Sequence, residues 1–220
     1  VYSYAHVPWI SPSQKLLEED DLPGSNVKIE LLSKTIETLS RAGYDYIGMD
    51  HFARPDDSLS VALRRGTLRR NFQGYSTLDG VDIAGFGISA ISQSRTMYYQ
   101  NEKDLEAYGD AVRNAQPPVV RGVVVDEDDQ IRRRAIMDIM CSTRIDYERF
   151  EAECGVDFRD YFADELDRLD EFESDRLVER TENGLGITPL GRLFIRNIAM
   201  CFDAYLERAN DGHVRYSKTV

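Results

Sequence analysis

The pattern of strands and helices changes near residue 126, and this change restricts the chain to two architectures in succession. Up to that point, segments of strand composition alternate with helical segments, beginning with the strand-like stretch 1–7. Beyond it, the sequence is mostly helical and strongly acidic. Strands that alternate with helices predict a parallel sheet with crossover connections, whose ligands collect at the carboxyl ends of the strands. We therefore expect an α/β part at 1–118 and a mostly helical domain at 119–220.

Apolar spacing places the elements of the α/β part. It predicts strands at 1–7, 44–49 and 81–92 and helices at 26–43, 57–66 and 102–115. Ser25 or Asn26 is expected to cap the first helix and Asn101 the third, because their side chains accept hydrogen bonds from free backbone N–H groups. Gly43 and Gly66 suit the left-handed conformation that ends a helix.

The helical part has the order of elements found in winged-helix domains. It predicts helices at 130–142, 146–155 and 158–172, a hairpin at 175–188 that turns at Asn183-Gly184, and a long helix capped by Thr188. Winged helices often bind DNA, but residues 126–208 hold 22 acidic side chains against 12 Lys and Arg. DNA phosphates would be repelled by such a domain, so we expect no nucleic-acid partner.

The three cysteines, Cys141, Cys154 and Cys201, are odd in number and widely spaced. Disulfide scaffolds need pairs and metal sites need close spacing, so neither is expected. Thiols in apolar helical segments usually behave as small buried hydrophobes, which suggests a reducing cytoplasm. No stretch approaches the roughly 18 apolar residues of a membrane span, so no membrane is expected. The chain starts without Met inside a predicted strand, so we interpret it as a portion of a longer protein.

Positive charge is concentrated at 51–77, although the formal net charge of the chain is −12. This segment holds five arginines and two aspartates. A solvated helix face with ordinary ion pairs is the simpler interpretation. An anion site is the other, because guanidinium groups bind carboxylates through paired hydrogen bonds. Composition does not choose between them.

Longer sequence blocks are more specific than the composition. They are YAHVPWI at 4–10, AGYDYIGMDHFARPDD at 42–57, RNFQGYST at 70–77, GFGISAIS at 85–92 and RNIAMCFDAYL at 196–206. Together they resemble oxygen-independent coproporphyrinogen III oxidase, almost from end to end of the chain. The resemblance implies the C-terminal part of a partial (β/α) radical S-adenosylmethionine barrel, followed by a mostly helical, winged-helix-like C-terminal domain.

The resemblance implies an oxidoreductase of haem biosynthesis that decarboxylates two propionates of coproporphyrinogen III to vinyls, giving protoporphyrinogen IX. In the family, a [4Fe–4S] cluster on a C-x₃-C-x₂-C loop cleaves one S-adenosylmethionine, and a second S-adenosylmethionine lies beside the first. This chain lacks that loop, so we expect it to carry no cluster ligand or catalytic residue and to be inactive alone. A non-catalytic binding or scaffold module derived from the family is the alternative. The electron donor is not indicated.

Four residues match cofactor-contacting positions of the family. Ala5 matches a strand-end position at the second S-adenosylmethionine, and Ile91 matches one at the cluster-bound molecule. Phe72 and Gln73 match active-site positions near the cofactor pair. A ring can pack on a sulfonium or a base, and an amide can bond a carboxylate or an adenine edge. Considered without the family, Ile91 and Phe72 are interpreted as core residues.

A tetracarboxylate substrate would favour the anion interpretation of the basic segment. We hypothesise that Arg54, Arg69 or Arg70 holds propionates or shields cofactor carboxylates. His6 and His51, at predicted strand ends, are interpreted as hydrogen-bonded structural residues. A barrel without its first strands has an unpaired edge and an opened apolar interior, so we expect the fragment to self-associate or to expose an apolar patch.

Overall fold

The computed structural model describes residues 1–209, with the side chains of all of these except Glu19 and 207–209. Helices and short strands are mixed along the chain, so the predicted α/β character is confirmed. The described chain forms two compact units, one of Val1–Thr77 with Arg134 onward and one of Leu78–Arg133. The predicted domains meet at 118/119 instead, and they stay a prediction whose end at residue 220 lies outside the described residues. No described helix combines the length and the apolar character needed to cross a bilayer.

Short elements make up the described chain. The helices are α1 (Ser25–Arg41), α2 (Ser58–Arg65), α3 (Leu105–Arg113), α4 (Glu127–Met137), α5 (Tyr147–Cys154), α6 (Phe158–Tyr161), α7 (Ala163–Arg168), α8 (Asp170–Ser174), α9 (Ile195–Met200) and α10 (Ala204–Ala209). The strands are β1 (Asp45–Gly48), β2 (His51–Ala53), β3 (Arg69–Asn71), β4 (Gly74–Ser76), β5 (Ile91–Gln93), β6 (Met97–Asn101), β7 (Val119–Val124), β8 (Arg144–Asp146), β9 (Val178–Thr181) and β10 (Gly184–Ile187). A π-helical turn (Asp138–Ser142) follows α4, and 3₁₀ turns form at Pro12–Leu16, Glu19–Asp21 and Gly191–Phe194.

Every strand pair among the described residues is antiparallel. In the first unit β1 pairs with β2, β3 pairs with β4, and β10 lies between β8 and β9. In the second unit β6 lies between β5 and β7. The parallel pairing predicted from the alternation of strands and helices is therefore wrong for these residues. Short turns join β1 to β2, β3 to β4, β5 to β6 and β9 to β10, whereas a parallel pair needs a long crossover.

Two of the predicted strands are wrong. Residues 1–7 form no regular secondary structure, because no described strand lies beside them to satisfy their backbone groups. In the predicted strand 81–92, only the last two residues belong to β5, and Ile83 makes an isolated bridge to Gln93. The glycines of this segment weaken a strand because they lose more backbone entropy and pack no side chain.

The helix ends agree with the predicted caps at some positions and use a different residue at others. Gly66 ends α2 in the left-handed conformation, as predicted. Asp104 caps α3 instead of Asn101, and its carboxylate accepts the Ala107 N–H at 2.8 Å. The α1 helix begins after Gly24 without a side-chain cap, so the predicted caps at Ser25 and Asn26 are wrong.

Two helices that were predicted as continuous are broken. The segment 158–172 divides into α6, α7 and α8, with breaks at Phe162 and Leu169, whose side chains are fully buried. The segment after Thr188 becomes a 3₁₀ turn, α9 and α10. At the first two breaks the buried side chain turns towards the core, so tertiary packing overrides helix propensity. The hairpin of β9 and β10 is confirmed, although Thr181 pairs with Gly184 and the loop is therefore Glu182-Asn183.

An aromatic cluster forms the core of the helical region in the first unit. Phe150, Phe158, Phe162 and Phe202 are each at most 1% exposed. The centre of the Phe158 ring lies 4.9, 4.8 and 6.0 Å from the ring centres of Phe150, Phe162 and Phe202. Such short helices are marginal by themselves, so the shared burial of these rings holds them together.

Replacing Phe158 by alanine should lower the free energy of unfolding by about 3–5 kcal/mol, because it removes a buried ring and leaves a cavity. Urea unfolding followed by circular dichroism measures this change. Phe86→Ala is the control, because Phe86 is 90% exposed. We expect that control to change stability by less than about 0.5 kcal/mol. Equal losses in the two variants would contradict the assignment of Phe158 to the core.

Candidate functional site

The hairpin of β3 and β4 presents two predicted site residues at its tip. Asn71 pairs with Gly74, so Phe72 and Gln73 form a two-residue loop between the strands. The backbone N–H of Gln73 donates to Asn71 Oδ1 at 2.8 Å and holds this loop in place. Phe72 is 42% exposed and Gln73 is exposed, so both side chains are available to a ligand.

Arg70 is held on the same hairpin by an aromatic ring. It pairs with Tyr75 across the two strands, and its guanidinium carbon lies 4.9 Å from the centre of the Tyr75 ring. Its Nη1 is buried and makes no hydrogen bond within the described structure. A buried charged donor without a partner is costly, which indicates that the site suits an external acceptor.

Tyr75 occupies a slot formed by Gly48, His51 and Met140, which come from distant parts of the chain. Its hydroxyl donates to the carbonyl of Met140, in the π-helical turn, at 3.0 Å. A Cβ at Gly48 would collide with this hydroxyl, and the ring of His51 meets the Tyr75 ring edge-on at 5.2 Å. Burial raises the pKa of Tyr75 well above its usual range, although the charge of Arg70 lowers it. The phenol therefore stays a neutral donor at neutral pH.

Besides the Tyr75 phenol, the Cys141 thiol is a second group near Arg70 that could in principle lose a proton. It follows Met140 in the π-helical turn and is 4% exposed. Burial raises the pKa of its thiol to about 12, while the charges of Arg70 and Arg69 lower it. Because neither Cys141 nor Tyr75 ionises at neutral pH, the positive charge of Arg70 is not neutralised by these two neighbours.

An Asp50–His51 pair supports the base of the hairpin. Nδ1 of His51 lies 2.5 Å from Oδ1 of Asp50, which fixes the orientation of the ring. Gly74 has a φ of +141°, and a Cβ there would lie 2.8 Å from Nε2 of His51. Only glycine therefore lets the hairpin approach the ring so closely, and the geometry fits the structural role predicted for His51.

The other predicted arginines have different surroundings from Arg70. Arg54 is exposed, and its backbone carbonyl accepts a hydrogen bond from the Asp57 N–H at 2.9 Å. Nη1 of Arg69 donates to the Leu68 carbonyl at 3.1 Å. Neighbouring residues of a strand face opposite sides, so Arg69 and Arg70 do not form one fork.

Ala5 lies in the first unit and Ile91 in the second. Ala5 is exposed in the first unit, and its carbonyl accepts a hydrogen bond from Gln14 Nε2 at 3.2 Å. Ile91 is half-buried at the start of β5 in the second unit. The glycine-rich loop before it is held by Asn101, whose Nδ2 donates to the carbonyls of Gly85 and Gly87 at 3.3 and 3.0 Å. That ordered loop fixes the position from which Ile91 enters its strand.

An iron–sulfur cluster does not fit the described residues. Among them, no group of three or more His, Cys, Asp or Glu side chains is arranged to hold a metal ion. The three cysteines are free, and burial raises the pKa of each thiol. A cluster needs several thiolates directed at one point, whereas these side chains are separate, protonated thiols.

Sequence reasoning missed Tyr75 and the residues that form its slot. The RNFQGYST block contains Tyr75, but nothing in the sequence marks a tyrosine as special. One signal was available, because a two-residue loop at Phe72-Gln73 would place Arg70 opposite Tyr75 in the hairpin register. No sequence pattern predicts the hydrogen bond from Tyr75 to Met140, because the two residues are 65 positions apart.

Comparison with known proteins gives one consistent result. The family model of the HemN C-terminal domain matches residues 125–194. The oxygen-independent coproporphyrinogen III oxidase of Salmonella typhimurium is 45% identical over 208 residues, which cover 94% of this chain and 46% of that protein. The enzyme of the same name from Pseudomonas aeruginosa is 43% identical over 220 residues, which cover 100% of this chain and 47% of that protein.

A solved structure agrees with these relatives. It is coproporphyrinogen III oxidase (HemN) from Escherichia coli, described as a radical SAM enzyme. The match has a TM-score of 0.86 and 46% identity, and it covers 92% of this chain and 46% of that one. The chain therefore spans about half the length of the relatives that it matches.

Protection of the Cys141 thiol should make the stability of the chain fall at high pH. The unfolded chain ionises this thiol near its ordinary pKa of 9.0, whereas the folded chain keeps it protonated up to about 12. The unfolded state therefore loses the proton first, and stability should fall by up to about 1.4 kcal/mol per pH unit in this window. Urea unfolding of the protein and of Cys141→Ala, between about pH 8 and about pH 10.5, measures the difference in slope.

Cys154→Ala is the matched control for this experiment. Burial also raises the pKa of Cys154, but this thiol is only half-buried, so its removal should change the slope less. Tyr75 contributes above its own ordinary pKa of 10.0 in every variant. Identical slopes for the protein and Cys141→Ala would show that the thiol is not protected by the fold.

Proposed function

This chain is homologous to oxygen-independent coproporphyrinogen III oxidases over almost all of its length, and we propose that it supplies part of the reaction chamber of such an enzyme. The parent enzyme decarboxylates two propionates of coproporphyrinogen III to vinyls and gives protoporphyrinogen IX in haem biosynthesis. The observation that carries the proposal is Arg70, whose charged, buried Nη1 lacks a partner among the described residues and lies on the hairpin that carries Phe72 and Gln73.

Arg70 binds a propionate of the substrate. A carboxylate supplies the acceptor oxygen that Nη1 lacks, and it neutralises a charge that Tyr75 and Cys141 leave uncompensated. Arg54 and Arg69 are the secondary candidates for the remaining carboxylates of the substrate. Four carboxylates need several cations, and the concentration of arginine at 51–77 in an acidic chain fits that need.

Cofactor contacts are proposed for each unit separately. In the first unit, Ala5 is the proposed contact of the second S-adenosylmethionine of the parent enzyme, and Phe72 and Gln73 are proposed to lie near the cofactor pair. In the second unit, Ile91 is the proposed contact of the cluster-bound S-adenosylmethionine. When bound, the cofactor and its [4Fe–4S] cluster supply the radical chemistry. The cluster ligands lie outside the described residues of this chain, which hold and orient the substrate instead. This division makes the chain inactive by itself.

For the parent we propose the domain bounds that the sequence predicts, which differ from those of the compact units. Residues 1–118 belong to the C-terminal part of a partial radical-SAM barrel, and 119–220 form the C-terminal domain. The three-stranded sheet of β8, β10 and β9, set among short helices, supports the winged-helix-like assignment of that domain. The buried, protonated thiol of Cys141 is compatible with the reducing cytoplasm in which we place the enzyme.

Binding of coproporphyrin III, the stable oxidised form of the substrate, tests the role of Arg70. Arg70→Gln should weaken binding at least about tenfold, because it removes a charged hydrogen bond to a carboxylate. Arg65→Gln is the matched control, since Arg65 is an exposed arginine at the end of α2. Fluorescence titration of the chain measures each dissociation constant, and coproporphyrin tetramethyl ester serves as a ligand without carboxylate charge.

The proposal fails if the chain binds the tetramethyl ester as tightly as the acid, or if Arg65→Gln and Arg70→Gln weaken binding equally. In the intact parent enzyme, Arg70→Gln should raise the KM for coproporphyrinogen III, because the arginine acts on substrate binding. An Arg70→Gln parent enzyme with unchanged kinetics would favour the alternative, a scaffold module that binds no substrate at this hairpin.

The open edge of the second unit should let the isolated chain self-associate. The β7 strand is an edge strand of its sheet, all of its residues are exposed, and Val124 is 76% exposed. Edge strands with apolar side chains pair readily with other chains, and a lysine on the edge prevents this. Light scattering should give a mass above that of the monomer for the protein, and a monomer mass for Val124→Lys.

Val112→Lys is the matched control for that substitution, because Val112 is 52% exposed on α3 and not in a strand. It should leave the association unchanged. A monomer mass for the unmodified chain would contradict the proposal directly. Association that Val124→Lys and Val112→Lys reduce equally would show that the strand edge is not the contact.

A further inference from the structure

Tyr75 makes three contacts that its burial alone does not require. Its ring carries the guanidinium of Arg70, its edge meets His51, and its hydroxyl donates to the Met140 carbonyl. Gly48 lies so close to the hydroxyl that no side chain fits there. A phenylalanine would fill the same core volume, so the hydroxyl must be explained by what it holds in place.

We propose that Tyr75 is the positioning residue of the Arg70 anion site. The inference rests on the proposed binding of a carboxylate by Arg70. It adds that Tyr75 sets the orientation of the guanidinium group. The face of the ring fixes the plane of the guanidinium, and the hydrogen bond to the Met140 carbonyl fixes the ring. Carboxylates bind guanidinium edge-on through paired hydrogen bonds, so the orientation of that plane sets the affinity.

The protonation state of the phenol is part of this arrangement. Burial keeps Tyr75 neutral, so its oxygen remains a hydrogen-bond donor to Met140 and forms no internal ion pair with Arg70. An aspartate at this position would anchor Arg70 equally well but would cancel its charge. A neutral aromatic ring therefore orients the cation while leaving its charge available to the ligand.

The π-helical turn explains how the acceptor reaches the phenol. The turn at Asp138–Ser142 follows α4 directly and ends at Thr143, which has a left-handed φ of 56°. The carbonyl of Met140 in this turn accepts from a side chain. Such π-helical insertions free a backbone carbonyl for a new partner and frequently occur at functional sites. We assign this one to holding Tyr75.

The test is a set of coproporphyrin III titrations on the chain, with folding checked by circular dichroism. Tyr75→Leu removes both the ring and the hydroxyl, and it should weaken binding about as much as Arg70→Gln, by roughly tenfold. The double variant Tyr75→Leu/Arg70→Gln should bind no more weakly than either single variant, because both remove one interaction. Tyr75→Phe keeps the ring and should lose about threefold.

Arg70→Lys decides the proposal independently of any folding defect at Tyr75. Lysine keeps the positive charge but has no planar group to lie on the ring, so it should bind about as weakly as Arg70→Gln. Lysine binding that equals arginine binding would overturn the proposal, because charge without orientation would then be sufficient. Additive losses in the double variant would overturn it as well.

The outcomes for Arg70 and for Tyr75 are distinguishable. If Arg70→Gln weakens binding while a folded Tyr75→Leu binds like the unmodified chain, the anion site stands and the positioning role falls. If the unmodified chain does not bind coproporphyrin III, both the anion site and the positioning role are overturned.

Discussion

The hydrogen bond from the Tyr75 hydroxyl to the Met140 carbonyl is the constraint on which the candidate site depends. It ties the β3–β4 hairpin to the π-helical turn that follows α4, two segments that are far apart in sequence. The slot admits Tyr75 only because Gly48 has no side chain, and the hairpin reaches His51 only because Gly74 has none. Removing any of these contacts would move the ring that orients Arg70, and with it the loop that carries Phe72 and Gln73.

The electrostatics of the site follow from burial more than from composition. The chain is acidic overall, with a formal net charge of −12, and a buried cation in it would be expected to meet a carboxylate. Arg70 instead has the phenol ring of Tyr75 and the thiol of Cys141 as neighbours, and burial keeps both groups protonated. Its charge is consequently available to an anionic ligand, which is the basis of the proposed binding of a carboxylate.

The absence of a cluster-binding arrangement from the described residues shapes the proposed role. The described cysteines are separate protonated thiols, and the chain spans about half of the relatives that it matches. In the proposed role, the described residues hold and orient the substrate and carry no cluster ligand. The first compact unit has a packed core of its own, the phenylalanine cluster around Phe158.

The sequence by itself determined the local features and the similarity to coproporphyrinogen III oxidases. Helix positions, the Gly66 end of α2 and the β9–β10 hairpin depend on neighbouring residues, so they could be predicted from short stretches. The β3–β4 register could also have been predicted, because it depends on a two-residue loop between neighbouring strands. Strand direction, the helix breaks at Phe162 and Leu169, and the bond from Tyr75 to Met140 were decided only by the tertiary structure. They depend on which distant groups become buried together, and neither spacing nor composition contains that information.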